Sequence, residues 1–223
     1  MSDINLQPIE KPQGVRDRVT RALRAAIISG EMAPGEIYSA PSLGARLGVS
    51  PTPVREAMLD LAKEGLVERL LNRGFRVTEV DDHYLDEITE LRQLIEPPVV
   101  RDVVQLIPAE DIPGLRAAAE KIVQRAVEHD LYGYTETDKD FHLALLRYAG
   151  NGRIVKLIEE LRAQTRLVGL ASLAERGELA GSAAQHIAIV DAIEARDSDL
   201  VYRLMVDHIS QTRSTWAGNP SGQ

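Results

Sequence analysis

Apolar positions recur along this chain in two rhythms, and each change of rhythm marks a change of element. From Val15 the period is helical: Val15, Val19, Ala22, Leu23, Ala26 and Ile27 share one face, Arg16, Arg18, Arg21 and Arg24 lie around the others, and Gly30 ends the run. Pro34-Gly35 predicts a turn, Ile37 and Tyr38 an extended link, and Ser39 a cap for a short helix that carries Leu43 and Leu47. Gly48 suits the left-handed end of that helix, and Val49 fills the turn. Ser50 predicts a second cap, with Pro51 and Pro53 in a first turn where a missing amide donor costs nothing. Val54, Ala57, Met58 and Leu61 then repeat at i, i+3, i+4 and i+7, a buried stripe that leaves Thr52 and Arg55 facing outward. After Glu64-Gly65 the period falls to two. Val67, Arg69 and Leu71 alternate with Glu68 and Leu70, Asn72-Arg73-Gly74 turns the chain, and Phe75, Val77 and Glu79 alternate with Arg76 and Thr78.

From Asp81 onward only helical rhythm remains. Leu85, Ile88, Leu91, Ile95 and Val99 form a stripe that Pro97-Pro98 should kink or break. Pro108 or Pro113 starts the next helix, followed by Leu115, Ala118, Ala119, Ile122 and Ala126. Further helices are expected over about 134–149, 154–173, 183–195 and 200–215, punctuated by Asn151-Gly152 and by Gly177 to Gly181. The predicted class is mainly α: a flexible arm (1–14), an N-terminal winged helix-turn-helix domain (15–80), a C-terminal all-α antiparallel helical bundle (81–217) and a flexible tail (218–223).

Three helices followed by a hairpin is the layout of a winged helix, which reads duplex DNA through the outward residues of its second helix-turn-helix element. With no backbone donor at Pro51 or Pro53, phosphate contact there falls to the Ser50 and Thr52 hydroxyls and to Arg55, which can also grip guanine edges bidentately. The hairpin tip, Arg73-Gly74, offers charge and close approach to a neighbouring groove. A formal charge of −8 opposes DNA binding until it is divided. Residues 1–80 carry 11 basic against 10 acidic side chains, and residues 81–223 carry 15 against 24, so the acidity sits behind a near-neutral head. Aromatics at 4% disfavour a stacking platform for single strands.

The stretch from Ile28 to Val80, through SGEMAPGE, LGVSPTPVREAM, LAKEGLV and NRGFRVTEV, resembles the N-terminal domain of the GntR family of bacterial transcription regulators. That resemblance implies operator contacts at Thr52, Arg55, Arg73 and Gly74. Many members carry Arg where Pro51 stands and a charged residue where this chain has Pro41 or Ser42, so those contacts do not transfer.

Three of the five histidines point into apolar faces: His142 with Leu145 and Leu146, His186 with Ile189, Val190 and Ile193, His208 with Val201, Leu204 and Met205. Asp138 precedes His142 by four residues, so carboxylate and imidazole project together. His83 and His129, beside acids at helix ends, read as surface residues. A lone inward histidine is usually a hydrogen-bonded core residue, but three with a carboxylate on one bundle are better explained by convergence on one cation. The chain has no cysteine, so the set suits Zn²⁺, Ni²⁺, Mn²⁺ or Fe²⁺, zinc being the ion expected in purified protein. The C-terminal part is similar to the FCD effector domain of the FadR group through ELRQLIEP, DKDFHLALLRYAGN, His186 to Ile193 and Val206 to Ile209. The resemblance implies metal ligands at Asp138, His142, His186 and His208, and a carboxylate effector on the open metal positions. It implies that Arg92 holds that effector, against the alternative of an Arg92–Glu96 surface pair.

The expected protein is a homodimeric, ligand-responsive repressor that binds double-stranded operator DNA under control of a small organic acid, and is not an enzyme. With neither a signal core nor a membrane span, it is expected to be soluble and cytoplasmic. A metal-dependent hydrolase with a DNA-binding appendage is the rival, disfavoured because no second carboxylate is placed as general base and no HExxH is present. A metal-free dimerisation module is the third reading.

Overall fold

Helix α1 (Val15–Ile28) opens the described part of the chain, which in this computed structural model comprises residues 14–79, 82–165 and 170–216. The expected arm, apart from Gly14, and the expected tail lie outside those residues. Val19, Leu23, Ile27 and Ile28 are buried on α1, while Val15 and Ala22 are exposed, so it docks along a narrower stripe than its periodicity suggests. Strand β1 (Ile37–Tyr38) and helix α2 (Ala40–Leu47) follow, and Ser39 caps α2 by accepting the Ser42 N–H at 3.2 Å. Gly48 ends α2 at φ +66°. A Cβ on Gly44 would stand 2.8 Å from the Val49 carbonyl, so the tight turn into helix α3 (Pro51–Lys63) depends on that hydrogen.

Two local expectations need correction. Ser50 sits at the N-cap of α3 in extended conformation, yet its side chain makes no capping bond. Of the two usual donors, the amides two and three residues on, that of Pro53 does not exist and that of Thr52 is not engaged. The hairpin of β2 (Val67–Leu70) and β3 (Gly74–Val77) also gains a third strand, because β1 pairs with β3 in the order β1-β3-β2. Tyr38 stands opposite Phe75, and Glu68 opposite Arg76. Val54, Ala57, Met58 and Leu61 are wholly buried against Leu23, Phe75 and Val77, one core beneath α1, α3 and the sheet.

The remaining helices are α4 (Asp82–Val103), α5 (Ile112–Val127) after a single 3₁₀ turn, α6 (Leu131–Arg147), α7 (Gly152–Thr165), α8 (Leu170–Glu175), α9 (Leu179–Glu194) and α10 (Ser198–Trp216). The helix expected over 154–173 is divided between α7 and α8, with 166–169 outside the described residues. Of the kink or break expected at Pro97 and Pro98, the break does not occur, since α4 runs through both. Leu85, Ile88 and Arg92 before them and Val100 and Val103 after them are all buried. Burying an aliphatic side chain is worth about 1.5–3 kcal/mol, so Leu85, Ile88, Val100 and Val103 together offset two interior prolines at roughly 3 kcal/mol each. Helix α4 packs along α10 and touches α6 and α7, while α5 packs on α6 and α9, which encloses the polar centre described next.

Candidate metal centre and nucleic-acid interface

Helix α6 presents Asp138 and His142 one turn apart, α9 presents His186 and α10 presents His208. One donor atom from each lies within 4.8 Å of the others, and the three imidazoles are buried. His186 Nε2 is 3.0 Å from Asp138 Oδ1 and 3.2 Å from His142 Nε2, and His142 Nε2 is 3.8 Å from Asp138 Oδ1. The outer nitrogens fix the tautomers. His186 Nδ1 donates to the Ala183 carbonyl at 3.0 Å and His208 Nδ1 to Gln185 Oε1 at 2.8 Å, which leaves each Nε2 as a lone pair. Lone pairs and a carboxylate oxygen about 3 Å apart repel unless a cation or proton lies among them. Donors about 2.0–2.2 Å from one ion would span separations of this size, so the set fits a first-row divalent metal. Among the described residues His142 Nδ1 has no hydrogen-bond partner, and the Glu96 carboxylate stands 3.6 Å from it.

Protonation favours the same use. Burial, reinforced by the Arg162 guanidinium, holds His142 well below the usual imidazole range, and burial with His186 does so for His208. Burial would raise Asp138, but Arg162 and the His186 contact outweigh it and hold the carboxyl well below the usual range. Neutral rings beside an ionised carboxylate are the forms that ligate metal.

A buried ion network backs this cluster. Arg92 Nε donates to Glu96 Oε1 at 2.7 Å, so the anticipated pair exists but is enclosed, with side chains 3% and 0% exposed, and is not a surface pair. The reason is geometric: positions 88, 92, 96 and 100 form the inner line of α4, whereas Leu91 of the predicted stripe is 45% exposed. Arg162, which sequence reasoning passed over, donates through Nε and Nη2 to Glu96 Oε2 at 3.1 and 2.6 Å and through Nη1 to Asp138 Oδ2 at 2.8 Å. Its signal was the one used for the histidines: it stands four residues after buried Ile158 and beside buried Leu161.

On the N-terminal domain, Ser50, Thr52, Arg55 and Arg73 are exposed. Arg55 and Arg73 line, with Arg69, Ser39 and Asn72, a cleft of about 390 Å³ between α3 and the hairpin. None of its lining side chains is acidic, and these three arginines make no ion pair among the described residues. Arg69 is a further member that the alternation pattern assigned only to a strand. By contrast Arg16 pairs with Asp60 and Arg24 with Glu64, so these α1 arginines bind α3. Gly74 has φ +117°, and a Cβ there would meet the Tyr38 carbonyl oxygen, so its smallness is already required by the sheet.

Comparison with known proteins matches residues 15–77 to "Bacterial regulatory proteins, gntR family" and residues 87–211 to the FCD domain. The chain belongs to the GntR family. An uncharacterized HTH-type transcriptional regulator in an unstable DNA locus of Streptomyces ambofaciens is 30% identical to this regulator, the match covering 84% of the chain and 78% of that protein. The HTH-type transcriptional repressor RspR of Escherichia coli K12 is 29% identical over 89% of the chain and 87% of its own length. A solved GntR regulator from Rhodococcus sp. RHA1 superposes with a TM-score of 0.73 at 27% identity, covering 92% of this chain and 98% of that one. The regulator therefore binds DNA through its GntR domain, and its relatives are transcription regulators and not enzymes. Among the described residues no helix is long and apolar enough to cross a membrane.

The two parts of the regulator meet at α1 and α6. Ile28 of α1 belongs to the buried cluster of the bundle. Arg24 grips both Glu64 oxygens at 2.6 and 2.7 Å and lines surface clefts with Tyr132 and Glu136 of α6.

Proposed function

We propose that this GntR regulator is a homodimeric repressor whose grip on operator DNA answers to a small organic acid held at a divalent metal ion in the FCD bundle. One observation carries the reading: four donors from three helices converge in a buried core, two of the rings having their outer nitrogens tied away from the centre. Four protein donors saturate a tetrahedral ion, while an octahedral one keeps two positions for an effector oxygen pair. Arg92 and Arg162 balance Glu96 and Asp138, so a divalent ion adds uncompensated positive charge in a buried place, and a carboxylate neutralises it. Arg92 spends only its Nε on Glu96. Its two terminal nitrogens make no hydrogen bond among the described residues and present the fork a carboxylate fits.

For the DNA, Thr52, Arg55, Arg69 and Arg73 with Ser50 and Gly74 form the reading face, the unpaired arginines of the cleft supplying local attraction that the acidic bundle does not cancel. One winged helix reads few base pairs, so two heads on a dimer would read a near-palindromic site. Helix α6 joins the two functions, since it carries two of the four ligands and meets α1, which packs on α3.

The test is to select a binding site from random duplexes and measure affinity for protein loaded in turn with Zn²⁺, Ni²⁺ and Mn²⁺, and for chelator-stripped protein, across a panel of mono-, di- and tricarboxylates. At least one acid should weaken the loaded protein's binding tenfold or more and leave the stripped protein unaffected. Unchanged affinity across the panel removes the sensor role. Absence of bound metal after reconstitution leaves the bundle as a metal-free module.

A further inference from the structure

We propose that Arg162 is the positioning residue of this centre: its planar fork holds Asp138 as a one-oxygen ligand and ties Glu96 into the surrounding shell. The inference rests on the metal reading above and adds a role for a residue from α7, a helix that supplies no ligand. The Arg162 side chain is 4% exposed and spans two carboxylates on different helices. Nη1 takes Asp138 Oδ2 at 2.8 Å, which turns Oδ1 inward to stand 3.0 Å from His186 Nε2. A carboxylate with its second oxygen engaged by a guanidinium is not available to chelate an ion with both. Nε and Nη2 together take Glu96 Oε2 at 3.1 and 2.6 Å, which leaves that carboxylate 3.6 Å from His142 Nδ1, the buried nitrogen that otherwise lacks an acceptor. One guanidinium therefore orients the anionic ligand directly and holds in place the carboxylate that faces an imidazole ligand's outer nitrogen. Groups that orient metal ligands in this way typically contribute 10–100-fold to metal affinity.

A structural role limited to neutralising Glu96 and Asp138 predicts something different, because a lysine would supply the same charge without the fork. The experiment uses the full-length protein, stripped of metal and titrated with Co²⁺, in three forms: wild type, Arg162→Met and Arg162→Lys. Dissociation constants and the visible ligand-field band are read, with far-ultraviolet circular dichroism to verify helix content. Co²⁺ affinity should fall about 10–100-fold in Arg162→Met, and its band should change in intensity as Asp138 swings to a two-oxygen or outward position. Arg162→Lys keeps a cation beside the buried carboxylates, so it retains the fold even where the Met variant does not. It too should show a weakened constant and an altered band. A folded Lys variant with wild-type constant and band overturns the proposal, since charge alone then suffices. Wild-type protein that takes up no cobalt overturns the metal reading and this inference with it, whereas wild-type binding with an unaffected Lys variant overturns this inference alone.

Discussion

Single atoms decide several features of this regulator. Gly74 illustrates how a residue that looks functional from its place at a hairpin tip is already required by the fold: β1 lies where its side chain would project, and its backbone is left-handed. Gly74→Ala should therefore destabilise the N-terminal domain by about 1–3 kcal/mol, read as a lower urea midpoint, while metal uptake by the bundle stays unchanged. An unaffected midpoint would show that β1 yields freely. Ser50 teaches the complementary lesson. Its position at the start of α3 and the missing amide of Pro53 were readable from local sequence, but that the Thr52 amide also goes unused was not.

Whole elements are joined by a few ion pairs. Asp60 on α3 accepts from Arg16 on α1, which, with a smaller contribution from Lys63 and against the opposing effect of burial, holds its carboxyl below the usual range. A folded pKa below the unfolded value means that the stabilisation is present above about pH 4 and disappears as pH falls through the folded pKa. Asp60→Asn should accordingly cost about 0.5–1 kcal/mol at pH 7 and nothing near pH 2. Urea titrations at both values check this, and an equal loss at both would assign the effect to packing. Helix α4 shows that packing overrides local signals too: the proline pair marked a kink or a break, and with buried residues on either side the helix is not broken.

At the scale of the molecule, Arg24 and Ile28 lie where the N-terminal domain meets the bundle. If metal or effector binding at α6 reaches α3 by way of α1, Arg24→Gln should leave metal affinity and unliganded DNA affinity within about threefold of wild type, yet reduce the effector's tenfold change in DNA binding toward none. Fluorescence anisotropy with and without the active acid measures it, and a full response in the variant would place the coupling elsewhere. The sequence by itself determined most of the helices, the division of 154–173 apart, with the hairpin, the inward histidines and the paired Asp138, because periodicity, turn residues and i to i+4 spacing are properties of near neighbours. It could not reveal that β1 joins the sheet, that Arg92 and Glu96 are enclosed, or that Arg162 bridges carboxylates 24 and 66 residues away. Those outcomes belonged to the tertiary structure, because burial and ion pairing between distant segments are settled only when the helices pack and remove the charges from water.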